Sequence, residues 1–250
     1  MKTILTSLAA GALLLLSACE VTEPGPGTDS GNPQSGYVTG KVTGAGGKAL
    51  SGINVFFDNT LYYNSGFSAT TDAAGNYKVK AQPGAFRGYA RMSHRYNGQT
   101  YRIDLHPDKY DSFGEEGAVR NFSWRLTGER PSNPDTFYGG TAYLYANADS
   151  EVYDVENIEF TFTPVGPLID GSTGKTLVRK SGAPRTKLYA KIVDIPIGRY
   201  KITAVHKPTG RRLRLQASYD QPLAESLTQD FYGDDSPTFC NDCMRIEYAH

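Results

Sequence analysis

The four histidines are the first residues whose chemistry must be considered, because an imidazole can bind Zn²⁺ or act as a general base. They are His94, His106, His206 and His250, and none has Glu or Asp three residues further on. A zinc site needs three or four converging ligands, and no pair of these histidines has the local spacing of one. The sequence therefore predicts no metal site, no cofactor and no catalytic residue.

A glycine-rich stretch, Gly171-Ser172-Thr173-Gly174-Lys175-Thr176, has part of the spacing of a phosphate-binding loop. A loop of that kind needs another glycine at position 169, where this chain has Ile169, and it needs a helix directly afterwards. Prolines precede the stretch, and the residues after it are typical of a strand. The stretch is therefore predicted to be the tip of a hairpin.

Cys240 and Cys243 form a C-x-x-C motif, which can be a short disulfide, part of a metal site or a redox centre. The N-terminal segment described below indicates export to an oxidising compartment, where a disulfide is favoured. Its expected role is to hold the chain so that residues 244–248 pair as a strand. Metal binding and redox catalysis remain the alternatives, with His250 the only nearby additional ligand.

Two aromatic loops are the candidate ligand-binding sites. Tyr62, Tyr63 and Phe67 belong to one loop, and Tyr96 and Tyr101 to the other, each beside Asn or Gln. Flat aromatic faces and amide groups suit sugar rings, and the same residues suit a protein interface. The third interpretation is that these rings cover the core, with tyrosine hydroxyls reaching water.

The elements that must position these residues are strands. Apolar and polar residues alternate with a period of two, which is typical of strands with one buried face, over residues 53–58, 77–81, 122–126, 158–163, 200–204 and 213–217. Asp72 and Gly75 mark a predicted hairpin turn, and 44–47 is a second turn. Only 222–229 has the pattern of a short helix. The sequence therefore predicts an all-β fold.

The N-terminus reads as an export signal. One positive charge, Lys2, precedes an apolar run that is too short to span a bilayer. The run ends in Leu16-Ser17-Ala18-Cys19, which resembles the lipobox of bacterial lipoproteins. The resemblance implies a signal peptide over 1–18, cleavage before Cys19, and lipid on Cys19 as a membrane anchor. Residues 19–36 are rich in Gly, Pro and Ser and are predicted to be a flexible linker, with a span of ~20–25 Å.

The remaining chain is predicted to be two tandem β-sandwiches, because strand patterns recur in the same order. Residues 52–57 resemble 157–162, and 83–86 resemble 197–200. The predicted boundaries are 37–128 for the first sandwich, 129–136 for a polar linker with two prolines, and 137–250 for the second.

The first sandwich resembles the carboxypeptidase regulatory-like family over residues 38–90. The matching motifs are Gly47-Lys48-Ala49-Leu50-Ser51-Gly52-Ile53-Asn54-Val55 and Thr71-Asp72-Ala73-Ala74-Gly75-Asn76-Tyr77, followed by Pro83-Gly84. This resemblance implies a transthyretin-like sandwich that serves as a non-catalytic accessory module, with glycan binding as a property of related sandwiches. A comparison with collagen-adhesin-like sandwiches raises the alternative of an isopeptide bond between Lys41 and Asn121.

The charge balance narrows the expected partners. Lys plus Arg and Asp plus Glu are 26 each, so the net charge is zero, and a basic surface for nucleic acid is not expected. The sequence thus predicts a non-catalytic binding or structural lipoprotein of the cell envelope, held to the membrane by its N-terminal lipid. In a Gram-negative cell the expected location is the outer membrane, since Glu20 rather than Asp follows Cys19. Another envelope protein or a glycan is the expected partner, and a carbohydrate-binding accessory lipoprotein is the alternative function.

Overall fold

Strands make up most of the regular structure in the computed structural model, which describes residues 34–236 and 240–250. The predicted signal peptide, Cys19 and all but the end of the predicted linker lie outside the described residues. The described residues belong to one compact unit, Asn32–His250. No helix within these ranges is both long and apolar enough to cross a membrane.

Nine strands precede the predicted linker at 129–136, and they form two sheets. They are β1 (Tyr37–Thr43), β2 (Asn54–Asn59), β3 (Gly66–Thr70), β4 (Asn76–Lys80), β5 (Phe86–Tyr96), β6 (Gln99–Asp104), β7 (His106–Pro107), β8 (Gly117–Val119) and β9 (Phe122–Ser123). One sheet has the order β4-β1-β9-β7 with β8 also on β1, and the other has the order β3-β2-β5-β6. A 3₁₀ turn, Ala45–Gly47, occupies the turn predicted at 44–47.

The two sheets face each other across a core set by the alternation in the sequence. Val55 and Phe57 of β2 are fully buried. The Phe57 ring packs 6.1 Å from that of Tyr77 in β4, on the facing sheet. The polar residues of the same strands lie on the outer faces, as a half-buried sheet requires. The predicted strand pattern is confirmed here.

The turn at Asp72 has its expected chemistry but joins different partners from those predicted. The Asp72 carboxylate accepts hydrogen bonds from the backbone N–H groups of Ala74 and Asn76 at 2.9 and 2.8 Å, and Gly75 has a φ of 77°. The flanking strands β3 and β4 lie in different sheets, so the turn is a corner between the layers and the predicted hairpin is wrong. Local turn chemistry fixes the reversal of the chain, whereas the pairing is decided by the core.

Eight further strands follow the predicted linker. They are β10 (Gly140–Ala146), β11 (Ile158–Pro164), β12 (Leu177–Arg179), β13 (Lys191–Ile195), β14 (Tyr200–His206), β15 (Arg211–Gln216), β16 (Leu227–Gln229) and β17 (Cys243–Ala249), with a 3₁₀ turn at Val155–Asn157. Their order is β12-β11-β14-β15-β17-β10-β13, with β16 also on β14. The helix considered for 222–229 is wrong, because β16 occupies its end.

This second set of strands folds back on itself through β15. The first half of β15 pairs with β14 and the second half of β15 pairs with β17. β14 and β17 therefore belong to two layers that face each other. The Phe160 ring of β11 packs 6.4 Å from that of Tyr248 in β17, across the layers. Sheets packed as sandwiches and an all-β chain are therefore confirmed. Among the described residues, strand ladders do not cross the 129–136 segment.

Candidate functional site

The predicted aromatic residues are found in three different environments. Tyr62 and Tyr63 lie in the loop between β2 and β3 and are 69% and 102% exposed. Phe67, on β3, is half-buried, with its ring 5.0 Å from those of Phe57 and Phe86. Phe67 is therefore part of the covering of the core, which was the third interpretation of these rings.

Tyr96 and Tyr101 belong to the β5–β6 hairpin and join it to the strands that follow the 129–136 segment. Tyr101 is fully buried, and its hydroxyl donates to the carbonyl oxygen of Phe231 at 2.6 Å. The Tyr96 hydroxyl donates to the carbonyl oxygen of Pro167 at 2.8 Å and accepts from the N–H of Arg199 at 3.1 Å. The expectation that Tyr101 offers a ring face to a ligand is corrected by its burial.

A different aromatic group lines a cleft of about 360 Å³ on the outer side of the β3-β2-β5-β6 sheet. Phe56 and Tyr89 are directly opposite each other on β2 and β5, and their rings stack with centroids 5.7 Å apart and planes 19° apart. Tyr110 stands edge-on to Tyr89 at 6.2 Å, with the guanidinium of Arg87 4.4 Å from its ring centroid. We call this the aromatic cleft, and we call the stacked Phe56–Tyr89 pair at its base the platform.

The far wall of the aromatic cleft is charged. The Arg91 Nε donates to the Asp104 carboxylate at 2.5 Å, and Arg130 donates to the other oxygen of the same carboxylate. Arg130 comes from the predicted linker, and its guanidinium lies 5.0 Å from the ring centroid of Tyr138. The wall therefore offers two fixed guanidinium groups, one carboxylate and a tyrosine.

The phenols of Tyr89 and Tyr138 stay neutral under ordinary conditions. Burial, followed by the hydrogen bond with Tyr110, raises the pKa of Tyr89. Burial also raises the pKa of Tyr138. Asp58, Arg91, Asp104 and Arg130 are therefore the groups that bring charge to the cleft lining. Flat apolar faces beside a few fixed polar groups are the usual composition of a small-molecule site.

The sequence contains a signal for this cleft that lies outside the two aromatic loops. Phe56 alternates with buried Val55 and Phe57, so it occupies a position where a polar residue is expected. Tyr89 likewise alternates with two buried residues, Gly88 and Ala90. A large aromatic residue on the outer face of each of two strands predicts a platform if the two strands pair. That pairing follows from the fold and not from the local pattern.

His206 does not face solvent. It is buried, with Nε2 3.1 Å from the Asp154 carboxylate oxygens and Nδ1 2.9 Å from the Thr209 hydroxyl. The hydrogen bonds from Asn157 and then from His206 lower the pKa of Asp154. Thr209 and Asp154 thus hold the end of β14 and its turn. Within the described ranges, no three His, Cys, Asp or Glu residues are grouped as metal ligands.

Cys240 and Cys243 form the predicted disulfide, with their Cα atoms 6.0 Å apart. Cys243 is the first residue of β17 and also bridges to Tyr232. The disulfide therefore holds the start of β17, as expected. The same residues leave Asp242 between them with a φ of 53° and a buried Oδ1 that has no hydrogen-bond partner among the described atoms.

Lys41 and Asn121 are neighbours, but their contact is through the backbone. The Lys41 N–H donates to Asn121 Oδ1 at 2.9 Å, and Asn121 Nδ2 donates to the Asp108 carboxylate at 2.8 Å. The Lys41 residue itself is exposed. The Asn121 amide is thus engaged as an ordinary hydrogen-bonding group.

Comparisons with known proteins give distant structural similarity. No protein-family model matches the chain, and the search of curated proteins finds no match. The TIE protein of Bacillus anthracis is 12% identical over 85% of this chain, with a TM-score of 0.32. This chain spans 34% of its length. A DUF3823 family protein from Parabacteroides merdae is 10% identical, with 80% of this chain and 100% of that chain covered and a TM-score of 0.24. The major pilin subunit of Bacillus cereus is 10% identical, with 87% and 100% covered and a TM-score of 0.26. Similarity at these TM-scores does not bear on function.

Proposed function

We propose that this protein is a lipid-anchored, non-catalytic binding module of the bacterial cell envelope, and that its aromatic cleft binds a glycan. The observation that carries the proposal is the stacked Phe56–Tyr89 pair on an outer sheet face. The two rings are stacked with nearly parallel planes and centroids 5.7 Å apart, so the pair places apolar ring surface on this outer face. The C–H face of a pyranose ring packs on such a surface.

The charged wall of the cleft supplies hydrogen-bonding groups for the hydroxyls of a bound sugar. Sugar hydroxyls are both donors and acceptors, so they need partners of both kinds when they leave water. The guanidinium groups of Arg91 and Arg130 are donors, and the carboxylates of Asp58 and Asp104 are acceptors. Because Asp104 already holds both arginines, the donors are fixed before a ligand arrives.

The membrane anchor is the part of the proposal that comes from the sequence. Leu16-Ser17-Ala18-Cys19 supports cleavage before Cys19 and lipid attachment to its thiol and amine. More than one acyl chain gives stable anchoring, because each buried methylene contributes ~0.8 kcal/mol. Mass spectrometry of the protein from membranes tests this point. An unmodified Cys19 would contradict the anchor.

The glycan proposal is tested by a polysaccharide and glycan array probed with the mature chain, followed by titration of any ligand found. Phe56→Ala with Tyr89→Ala should weaken binding about 10-fold or more, which corresponds to a loss of ~1.4 kcal/mol. Phe56→Tyr keeps a ring on the platform and should retain binding. Melting curves show whether each variant is folded.

Two results would overturn the assignment of the cleft. One is a ligand whose binding survives the loss of both platform rings in a folded variant. The other is a ligand lost in Tyr62→Ala with Tyr63→Ala, which would move glycan binding to the exposed loop. A folded wild-type protein that binds no glycan would contradict glycan binding itself.

A further inference from the structure

The loop between β2 and β3 leaves three consecutive large side chains in solvent. Leu61, Tyr62 and Tyr63 are 77%, 69% and 102% exposed, and we call them the apolar tip. A single exposed apolar residue is ordinary, whereas an adjoining group marks a surface that meets another molecule or a membrane. The tip lies outside the lining of the aromatic cleft.

The tip is an ordered turn. Asn59 Oδ1 accepts hydrogen bonds from the N–H groups of Leu61 and Tyr62 at 2.9 and 3.0 Å. The Asn59 N–H donates to the carbonyl oxygen of Ser65 at 2.8 Å. Asn64 has a φ of 54°, a left-handed conformation in which asparagine is enriched. The turn therefore presents its three apolar side chains in a fixed arrangement.

The tip carries no charge. Residues 59–67 contain neither acidic nor basic side chains. The other strongly exposed tyrosines differ in this respect, since Tyr153 precedes Asp154 and Tyr219 precedes Asp220. Tyrosine with leucine and without charge is the composition that partitions into the interface of a bilayer, where the ring is apolar and the hydroxyl stays wet.

The tip is also at the end of the fold where the described chain begins. Near that beginning, the carbonyl oxygen of Gly36 accepts from the N–H of Ala81 at 2.9 Å. Four residues later, the carbonyl oxygen of Ala85 accepts from the N–H of Thr60 at 2.8 Å. Four extended residues span at most about 14 Å, so with the two hydrogen bonds Gly36 lies within about 20 Å of Thr60, at the base of the tip. The described chain, from Gln34 onward, therefore enters the fold at the end that bears these exposed side chains.

We infer that the apolar tip rests in the headgroup region of the membrane that carries the N-terminal lipid. This inference rests on the anchor proposed above. A linker with a span of ~20–25 Å keeps this end of the fold near the bilayer. Contact of Leu61, Tyr62 and Tyr63 with the interface then sets the orientation of the module, with the end that bears Gly36 toward the lipid.

Fluorescence quenching by lipids brominated near the top of their acyl chains tests the contact. The mature chain is coupled through the Cys19 thiol to a maleimide lipid in phosphatidylcholine vesicles. Of the three cysteines, the other two form the disulfide, so coupling is directed to Cys19. Trp124, the single tryptophan, is replaced in Trp124→Phe. Tyr63→Trp then reports on the tip, and Tyr153→Trp is the matched control at another exposed tyrosine.

The expected result is that Tyr63→Trp emission shifts to the blue and loses intensity with brominated lipid, while Tyr153→Trp emission does neither. Leu61→Ser with Tyr62→Ser should reduce the loss for Tyr63→Trp. If Trp124→Phe does not fold, the Tyr63→Trp signal is read as a difference from the wild type with Trp124 retained. Equal or absent quenching at both positions would overturn the inference and leave a protein partner as the occupant of the tip. Because coupling replaces natural lipidation, this result is independent of the mass of Cys19.

Discussion

Replacing Asp242 by asparagine should stabilise the protein at neutral pH and leave its stability in acid nearly unchanged. The Asp242 backbone is fully used, since its N–H donates to Tyr232 and its carbonyl oxygen accepts from Thr141, both at 2.9 Å. Its carboxyl Oδ1 is buried with no hydrogen-bond partner in the described part of the chain. Burial raises the pKa of this carboxyl to about 6.

The size of the effect follows from that pKa. The ordinary value is 3.8, and a difference of about two pH units at ~1.4 kcal/mol each corresponds to about 3 kcal/mol. The folded state binds the proton more tightly than the unfolded state. The free energy of unfolding therefore falls as pH rises from about 4 to about 6 and is constant above that range. Asp242→Asn removes this dependence, and asparagine accepts the φ of 53° at this position.

Urea unfolding at pH 4 and at pH 7.5 measures the difference. We expect Asp242→Asn to gain up to about 3 kcal/mol at pH 7.5, or roughly 6–12 °C in Tm for a chain of this size, and little at pH 4. Asp149→Asn, at an exposed loop position, is the matched control and should change neither value. A gain that is equal at both pH values, or a loss at pH 7.5, would refute the reasoning from the buried carboxyl.

Three further predictions concern the stability of the sheets. The buried Thr71 hydroxyl accepts from one backbone N–H at 2.9 Å and donates to one backbone carbonyl at 2.7 Å; Thr71→Val should therefore cost ~2–3 kcal/mol in urea unfolding, and an unchanged midpoint would contradict this role. A Cβ at Gly40 would lie 1.7 Å from the carbonyl oxygen of Arg120. Gly40→Ala should lower stability by more than ~4 kcal/mol, and a folded variant with wild-type Tm would show that β1 can move away. Reduction of the Cys240–Cys243 disulfide should cost ~2 kcal/mol or less, because the closed loop is very short, and unfolding on reduction alone would contradict that estimate.

The sequence predicted the strands well because each strand is encoded by its own alternation. Ile158, Phe160 and Phe162 are all fully buried, as their spacing indicated. The local sequence did not indicate which strands pair with each other in the sheets. The Asp72 turn has the chemistry of a hairpin, yet β3 and β4 lie in different sheets, since strand partners are chosen by long-range packing.

The same limit explains the difference between the predicted and observed aromatic sites. Tyr96 and Tyr101 lie in a stretch with the sequence of a loop, but the hairpin that carries them packs against residues more than seventy positions away. Phe56 and Tyr89 are separated by 33 positions and form a platform only because β2 pairs with β5. A surface made by neighbouring strands has no local signature in the sequence, except for an aromatic residue at a strand position that faces solvent.

Strand β17 lies between β15 and β10 and runs parallel to β10, with Thr141 opposite Cys243 and Ala146 opposite Tyr248. Every strand ladder of β1–β9, in contrast, lies within residues 37–123. A chain that emerges from a ribosome or a translocation channel with its N-terminus first can therefore close the first pair of sheets early. β10 can pair with β13 on one side, but β17, its neighbour on the other side, lies about a hundred residues further along the chain, so that side of β10 stays unpaired until residues 243–249 have emerged. Emergence of residues 243–249 is thus the step that completes this sheet, and stalling before it would leave β10 and β15 with open edges available to other chains.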